Sequence, residues 1–219
     1  MQVINDLIFK VVLSITSLSL TLLSFSLMLQ FRKSKQFIAW ALIFISFLLH
    51  FTSDILYIQS IISSGGVSNV PYPSYRDYLW IISYVLFGLG VACYWLIINK
   101  SMMKSPIDSL IVISTLTFIV LITSLFLASN DLLRHPLDVA YAATASLMGF
   151  SCIPLITLFK KGLMAKQWSL IGLRGVFILT AQLIFLIETS VSTGNNFTNI
   201  TYLIGDLIAL IGFVKLLSF

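Results

Sequence analysis

Residues 37 to 59, FIAWALIFISFLLHFTSDILYIQ, form a long apolar run in which Asp54 is the one charged side chain. A helix that crosses a membrane needs about 20 mostly apolar residues, because the hydrocarbon core is about 30 Å thick. Lipid offers no hydrogen-bond partner to backbone amides, so a run of this length satisfies them only as a helix. The stretch therefore predicts a transmembrane α-helix.

Similar runs fill the rest of the chain. The predicted membrane helices cover residues 7–30, 37–59, 77–98, 109–128, 138–159, 170–192 and 200–218. Of the 219 residues, 58% are hydrophobic and only 10% are charged, whereas about 25% of an average soluble domain is charged. This composition excludes a soluble globular protein. The sequence predicts an all-α fold, with a single seven-helix transmembrane bundle over residues 1–219.

The distribution of basic residues predicts the orientation of this bundle. The net charge is +5, and in membrane proteins the excess of Lys and Arg lies in the cytoplasmic loops. One side of the predicted bundle carries Arg32, Lys33, Lys35, Lys100, Lys104, Lys160, Lys161, Lys166, Arg174 and Lys215. The other side carries Lys10, Arg76 and Arg134. We therefore expect the N-terminus outside and the C-terminus in the cytoplasm of a prokaryotic plasma membrane, with no nucleic-acid partner.

Several carboxylates fall at or below the outer surface in this topology. An ionisable side chain at the bilayer centre costs roughly 2.5 to 3.5 kcal/mol on insertion scales, so acids inside membrane spans are candidates for function. The acids concerned are Asp54, Asp77, Asp138, Glu188 and Asp206. His50 precedes Asp54 by four residues and so shares its helical face. The arrangement predicts an acidic pocket open to the outside, in which His50 tunes Asp54.

Aromatic residues accompany these acids at the outer end of the third predicted helix. Trp80 and Tyr84 share a helical face with Asp77, although Tyr and Trp at this depth also form ordinary interfacial belts. The candidate ligand-binding residues are His50, Asp54, Asp77, Trp80, Tyr84, Glu188 and Asp206.

Each acid also has a structural explanation. Asp77 and Asp138 could cap helix N-termini, where the helix dipole favours anions. Asp54, Glu188 and Asp206 could form interhelical hydrogen bonds that only hold the bundle together. The chain contains no HExxH, CxxC, GxSxG or P-loop motif, which argues against an enzyme and indicates no metal or cofactor.

The second and third predicted helices are weakly similar to the sixth and seventh. LHFTSDILYI aligns with LIFLIETSVS, and DYLWIISYVLFGLGVA aligns with NITYLIGDLIALIGFV. The aligned pairs are Asp54 with Glu188, Trp80 with Tyr202, Tyr84 with Asp206 and Gly90 with Gly212. Helices four apart in the chain run in the same direction, so the sequence predicts a parallel repeat of residues 37–98 and 170–218.

The runs AWALIFISFLLHFTSDILYI, YPSYRDYLWIISYVLFGLG and SPIDSLIVISTLTFIV resemble a known multi-pass module. This module forms the N-terminus of many bacterial and archaeal diguanylate cyclases and sensor histidine kinases. The positions that carry the resemblance are Trp40, Asp54, Pro73, Ser74, Asp77, Trp80, Tyr84 and Asp108. Ser83 stands where that family usually has Gly. The family continues into a cytoplasmic signalling domain, whereas this sequence ends at Phe219, so the resemblance implies a separate signalling partner.

YRDYLW in the third predicted helix and GDLIALIGF in the seventh also resemble the corresponding helices of microbial rhodopsins. The lysine that carries retinal in that family would fall at Leu210, and Lys215 lies five residues later. Without that amine no Schiff base with retinal can form. This second resemblance therefore implies the seven-helix arrangement without a retinal cofactor.

These features together predict a non-enzymatic membrane sensor or receptor-like module. It would bind a small ligand or ion, or respond to the state of the lipid bilayer, and signal to a cytoplasmic partner. Two alternatives stay open. The chain could be an accessory or structural subunit of a larger membrane complex, or it could be a transporter, since small seven-helix carriers built from parallel three-helix repeats exist.

Overall fold

A computed structural model describes residues 2–65, 70, 73–102, 117, 120, 136–159, 163–191 and 196–218, and the regular structure of these residues is helical. The helices are α1 (Gln2–Gln30), α2 (Phe37–Ser64), α3 (Tyr75–Met102), α4 (Pro136–Phe150), α5 (Ile153–Phe159), α6 (Leu163–Val191) and α7 (Asn196–Leu217).

Six segments of the described chain are long and apolar enough to cross a membrane. They are Leu7–Gln30, Phe37–Ser64, Tyr75–Ile98, Val139–Phe159, Met164–Phe185 and Phe197–Leu217. This confirms the prediction of an all-α, multi-pass membrane protein. Of the predicted helix over residues 109–128, the structure describes only residues 117 and 120, both as helical, so the count of seven stays a prediction.

The described helices close into a ring. Each long helix packs on its neighbours in the order α1, α2, α3, α4, α6 and α7, and α7 packs back against α1. The short helix α5 follows α4 in the chain and packs on α6. The centre of the ring is filled by large side chains from different helices, among them Phe47, Phe87, Ile178 and Phe213.

Polar and apolar side chains are distributed as a lipid environment requires. Large apolar residues such as Ile15, Leu22 and Ile38 are more than half exposed on the outside of the ring, at 58%, 58% and 63%. Hydroxyl side chains such as Ser17 and Ser24 are fully buried inside it. Since lipid tails are as apolar as leucine, burying Leu or Ile gains little, whereas polar groups find partners only in the interior.

The fifth predicted helix is interrupted at Ser151 and Cys152, so that α4 and α5 are separate helices. Pro154 has no backbone N–H, and its ring clashes with the carbonyl of Phe150 four residues earlier. The helical pattern resumes where the N–H of Ile156 donates to the carbonyl of Cys152 at 3.0 Å. The proline therefore explains the break.

Two glycines allow α4 and α6 to approach each other closely. A Cβ on Gly175 would overlap the Cα of Gly149, and a Cβ on Gly149 would lie 3.0 Å from the carbonyl carbon of Gly175. Small residues permit such backbone contacts between membrane helices. Their contact fixes the position of α4 in the ring.

An aromatic cluster fills the end of the bundle where α1 ends and α2 begins, here termed the far end. The Trp40 ring lies 5.6 Å from Tyr94, 5.8 Å from Trp168 and 6.2 Å from Phe213, measured between ring centroids. The rings of Tyr94 and Trp168 are 5.0 Å apart. Each aromatic pair contributes about 0.5 to 1.5 kcal/mol to stability beyond the burial of its surface. These contacts therefore close the bundle at the far end.

Candidate functional site

A cavity of about 260 Å³ lies inside the ring at the opposite end, here termed the cavity end. Helices α1, α3, α4 and α7 begin at this end, and α2 and α6 finish there. The cavity is lined by Lys10, Leu13, Ser17, His50, Asp54, Tyr57, Val70, Arg76, Asp77, Trp80, Tyr84, Tyr141, Gln182, Phe185, Thr198, Asn199, Tyr202 and Asp206. Its size, just below the range of roughly 300 to 1,000 Å³ for common ligand pockets, suits a small molecule or a hydrated ion.

Six of the seven candidate binding residues line this cavity, namely His50, Asp54, Asp77, Trp80, Tyr84 and Asp206. The five of them on α2 and α3 are spaced three or four residues apart within each helix, which places them on the inner faces of those helices. Glu188 belongs to α6, but its side chain, like that of Asp138, lies outside the described residues.

Asp54 links three helices at the cavity. Its Oδ2 accepts a hydrogen bond from Ser17 Oγ of α1 at 2.6 Å, and its Oδ1 accepts one from Trp80 Nε1 of α3 at 3.1 Å. Both donors are neutral, and the side chain is partly exposed where it lines the cavity. A carboxylate has about four acceptor sites, so Asp54 can accept further donors from a molecule in the cavity.

Asp206 forms a buried ion pair that the sequence analysis missed. Arg174 Nε on α6 donates to Asp206 Oδ1 at 2.6 Å, and the two side chains are 1% and 4% exposed. Thr16 of α1 approaches the second carboxylate oxygen at 3.2 Å. Assigning Arg174 to the cytoplasmic basic residues was therefore wrong. It lies near the middle of its membrane span, where α7 supplies the counter-charge.

The rest of the Arg174 guanidinium is held by softer contacts. Nη1 lies 3.3 Å from the sulfur of Met148, and the guanidinium carbon lies 5.0 Å from the centroid of the Phe47 ring. Cation–π contacts of this kind stabilise a desolvated guanidinium by about 2 kcal/mol or more. Arg174 is thus anchored from α2, α4 and α7 together.

Asp77 caps α3, as its structural explanation proposed, and it also lines the cavity. Its Oδ2 accepts hydrogen bonds from the backbone N–H of Ser74 at 2.6 Å and from the Ser74 hydroxyl at 2.9 Å. This is a capping-box arrangement, with the third helical residue reaching back to the residue before the helix. The hydroxyl of Tyr141 on α4 lies 3.2 Å from Oδ1, so Asp77 also ties α3 to α4.

His50 contacts α3. Its Nδ1 lies 3.4 Å from Ser83 Oγ, and its ring centroid lies 5.7 Å from that of Tyr84 and 6.5 Å from that of Trp80. Ser46, one turn earlier on α2, donates to the carbonyl of Ser83 at 2.7 Å. These contacts fix the ring against α3, and the predicted tuning of Asp54 by His50 stays a prediction.

Other cavity residues were not selected as binding residues from the sequence. Lys10 Nζ donates to Asn199 Oδ1 at 2.7 Å and lies 5.1 Å from the centroid of the Tyr57 ring. Gln182 Nε2 donates to the hydroxyl of Tyr202. The available signal was a polar residue inside an apolar span, and Lys10 and Gln182 both fit it, whereas Asn199 lies in the polar segment before the last predicted helix.

Comparison with protein-family profiles, with curated proteins and with solved structures finds no match to this chain. The two family resemblances therefore stay predictions. Leu210, which takes the position of the retinal lysine in one of them, packs against the apolar core.

Proposed function

We propose that the protein is a seven-helix membrane sensor that binds a small polar ligand in the cavity from the outer side and signals to a cytoplasmic partner. The observation that carries this proposal is Asp54, an acid lining an internal cavity and held by neutral donors. An ionised carboxylate in a membrane interior is costly unless it is paired. A ligand that supplies a cation or several hydrogen-bond donors would provide what Asp54 lacks.

The path of the chain supports a seventh helix. From Tyr84, which lines the cavity, α3 continues to Met102, which takes it about 27 Å toward the far end at 1.5 Å per residue. Helix α4 begins again at the cavity end, near Tyr141. We propose that the chain between them returns across the bundle through the apolar residues 109–128, which have the length to do so.

The charges at the two ends support the proposed orientation. The connection between α1 and α2 at the far end contains Arg32, Lys33 and Lys35, and Lys166 and Lys215 lie near the same end on α6 and α7. Positive residues favour the cytoplasmic side. The cavity then opens outward, and the basic far end faces a cytoplasmic partner.

The contacts around the cavity suggest how binding would be transmitted. Asp54 connects α2 with α1 and α3, while Asp206 connects α7 with α6 and α1. A ligand that takes over hydrogen bonds from either acid changes the packing of these helices. Such a ligand shifts the equilibrium only as far as its affinities for the two arrangements differ.

A thermal-shift screen of the purified protein tests the binding site. The compounds are small amines, carboxylates, zwitterions and sugars, and the variants are Asp54→Asn and the lipid-facing control Thr52→Val. A true ligand at 100 times its dissociation constant stabilises the fold by about 2.7 kcal/mol. We expect at least one class to stabilise the wild type and Thr52→Val but not Asp54→Asn.

A second measurement does not depend on knowing the ligand. Protonation of Asp54 alters its bonds with Ser17 and Trp80, so the thermal stability of the wild type should vary differently with pH from that of Asp54→Asn. If the two profiles coincide between about pH 4 and pH 8 and no compound separates the two proteins, the sensor proposal is contradicted.

A further inference from the structure

The ring consists of two halves with matching neighbour relations. The first half is α1, α2 and α3, and in the second half α4 with α5, α6 and α7 take the corresponding places. Within the halves, α1 packs on α2 as α4 packs on α6, and α2 packs on α3 as α6 packs on α7. Between the halves, α1 packs on α7 as α4 packs on α3. A two-fold axis along the bundle produces this pattern.

Equivalent residues make equivalent contacts inside each half. Trp-Ala-Leu-Ile at residues 40–43 of α2 matches Trp-Ser-Leu-Ile at residues 168–171 of α6. A Cβ on Gly90 of α3 would lie 2.7 Å from Ile43 Cγ1, and a Cβ on Gly212 of α7 would lie 3.0 Å from Ile171 Cγ1. The final isoleucine of each motif therefore faces the glycine at which the next helix crosses.

The same correspondence reaches the cavity. When the match between Trp40 and Trp168 is extended along α2 and α6, Asp54 aligns with Gln182. The alignment from sequence had instead paired Asp54 with Glu188. Trp80 of α3 donates to Asp54 at 3.1 Å, and Gln182 is likewise hydrogen-bonded to Tyr202 of α7. Trp80 and Tyr202 are the pair that the sequence repeat had already aligned. The cavity thus lies between the halves, with both contributing to its wall.

At the far end, the two equivalent tryptophans meet. The rings of Trp40 and Trp168 are stacked at 5.8 Å with an interplanar angle of 27°. The two tryptophans, and two further residues of α6, carry buried polar atoms that have no hydrogen-bond partner among the residues that the structure describes. These atoms are Trp40 Nε1, Trp168 Nε1, Gln167 Oε1 and, closer to the cavity, Arg174 Nη2.

Polar atoms without a hydrogen-bond partner are unfavourable in a contact that water never reaches. Each buried donor or acceptor left unpaired costs about 1 to 3 kcal/mol, and native proteins contain few of them. Their cost disappears in a state in which the two halves part at the far end and water reaches these atoms. These unpaired atoms therefore destabilise the closed far end relative to an open state.

We infer that the protein is a carrier, in which the two halves tilt against each other around the central cavity and open it alternately at the cavity end and at the Trp40–Trp168 contact, so that a small polar solute crosses the membrane. Parallel repeats with a binding site at their interface move in this manner in known transporters. The inference rests on the cavity as the binding site proposed above, and it adds access from the second side.

Cysteine accessibility in sealed membrane vesicles tests the inference without a known solute. The probe is a membrane-impermeant methanethiosulfonate with a trimethylammonium group, added to vesicles of either orientation. The reporter is Ser17→Cys, a nearly isosteric change at the cavity wall, after Cys93 and Cys152, the free cysteines of the described chain, have been replaced by Ala. Ile15→Cys, which is 58% exposed on the lipid side of the same helix, is the unreactive control.

A carrier makes the Ser17→Cys thiol reactive from both sides of the membrane. Replacing Trp168 by Ala removes its ring contacts with Trp40 and Tyr94 and should speed labelling from the far side about tenfold. Phe25→Ala, an aromatic truncation at the lipid surface, should leave that rate unchanged. If Trp168→Ala does not fold, Trp40→Phe provides the gentler opening of the same contact.

The outcomes separate this inference from the proposed binding site. The gate variant is Trp168→Ala or, if that protein does not fold, Trp40→Phe. Labelling from the cavity end alone, with no far-side labelling even in the gate variant, overturns the carrier and leaves the sensor standing. Labelling from neither side in a folded reporter contradicts an accessible cavity and overturns both. Labelling from both sides, faster at the far side in the gate variant only, supports the carrier.

Discussion

The ion pair between Arg174 and Asp206 should be asymmetric in its effect on stability. Asp206 lines the cavity, so water or an ion can reach its carboxylate, whereas Arg174 is 1% exposed and is not part of the cavity wall. Asp206→Asn therefore removes the negative charge that balances the buried guanidinium, whose other contacts are the sulfur of Met148 and the ring of Phe47. Arg174→Met leaves the Asp206 carboxylate without its counter-charge, but water or an ion in the cavity can still solvate it.

The expected magnitudes follow from two opposing estimates. Removing one member of a buried ion pair costs about 3 to 5 kcal/mol in water-soluble proteins. Interhelical hydrogen bonds in membranes contribute only about 0.6 kcal/mol on average, because the unfolded chain also finds partners in lipid. The full charge and the 2.6 Å contact favour the larger figure for Asp206→Asn. We expect a loss of about 3 kcal/mol there and about 1 to 2 kcal/mol for Arg174→Met.

Reversible unfolding in mixed detergent–lipid micelles measures these losses. The double variant Arg174→Met/Asp206→Asn should be more stable than Asp206→Asn alone, because it no longer contains a stranded guanidinium. Lys166→Met, which removes an exposed cation from the same helix, should change stability by no more than about 0.5 kcal/mol. Additive effects of the two single substitutions, or equal small losses from both, would refute the reasoning.

Two further predictions concern the helix end and the helix crossing that shape the site. Ser74→Ala removes the hydroxyl that Asp77 binds at 2.9 Å and should cost about 0.5 to 2 kcal/mol in unfolding free energy, with no loss if the cap is unimportant. Gly175→Ala places a methyl group on the Cα of Gly149 and should lower stability by about 1 to 3 kcal/mol. Gly88→Ala, whose Cβ meets no atom closer than 3.7 Å, should be tolerated, and equal losses in both glycine variants would contradict the close-crossing argument.

Much of the fold was predictable because the polarity of a bilayer changes only along the membrane normal. The length and polarity of each run place a residue at a depth, so the spans and the acids near the cavity end could be read from the chain. The face of a helix was readable too, since His50 and Asp54 recur at helical spacing and both line the cavity. The break before Pro154 follows from the missing N–H of proline.

The partners of the site residues could not be predicted in the same manner. Depth assigned Arg174 to the basic side, but the neighbouring helix α7 places Asp206 within 2.6 Å of it. Asp77 had two explanations, and only its contacts with Ser74 and Tyr141 showed that it caps α3 while it lines the cavity. Lys10 and Asn199 are far apart in the chain, and no sequence signal joined them.

The amino-acid sequence alone is enough to specify a helical membrane protein, because apolar runs of this length can satisfy their backbone hydrogen bonds in lipid only as helices. The tertiary structure decided which helices are neighbours, how each is rotated, and hence that Ser17 and Trp80 meet at Asp54. It also brought the rings of Trp40 and Trp168 within 5.8 Å of each other. These outcomes depend on packing between segments far apart in the chain, which hydropathy along a single helix does not encode.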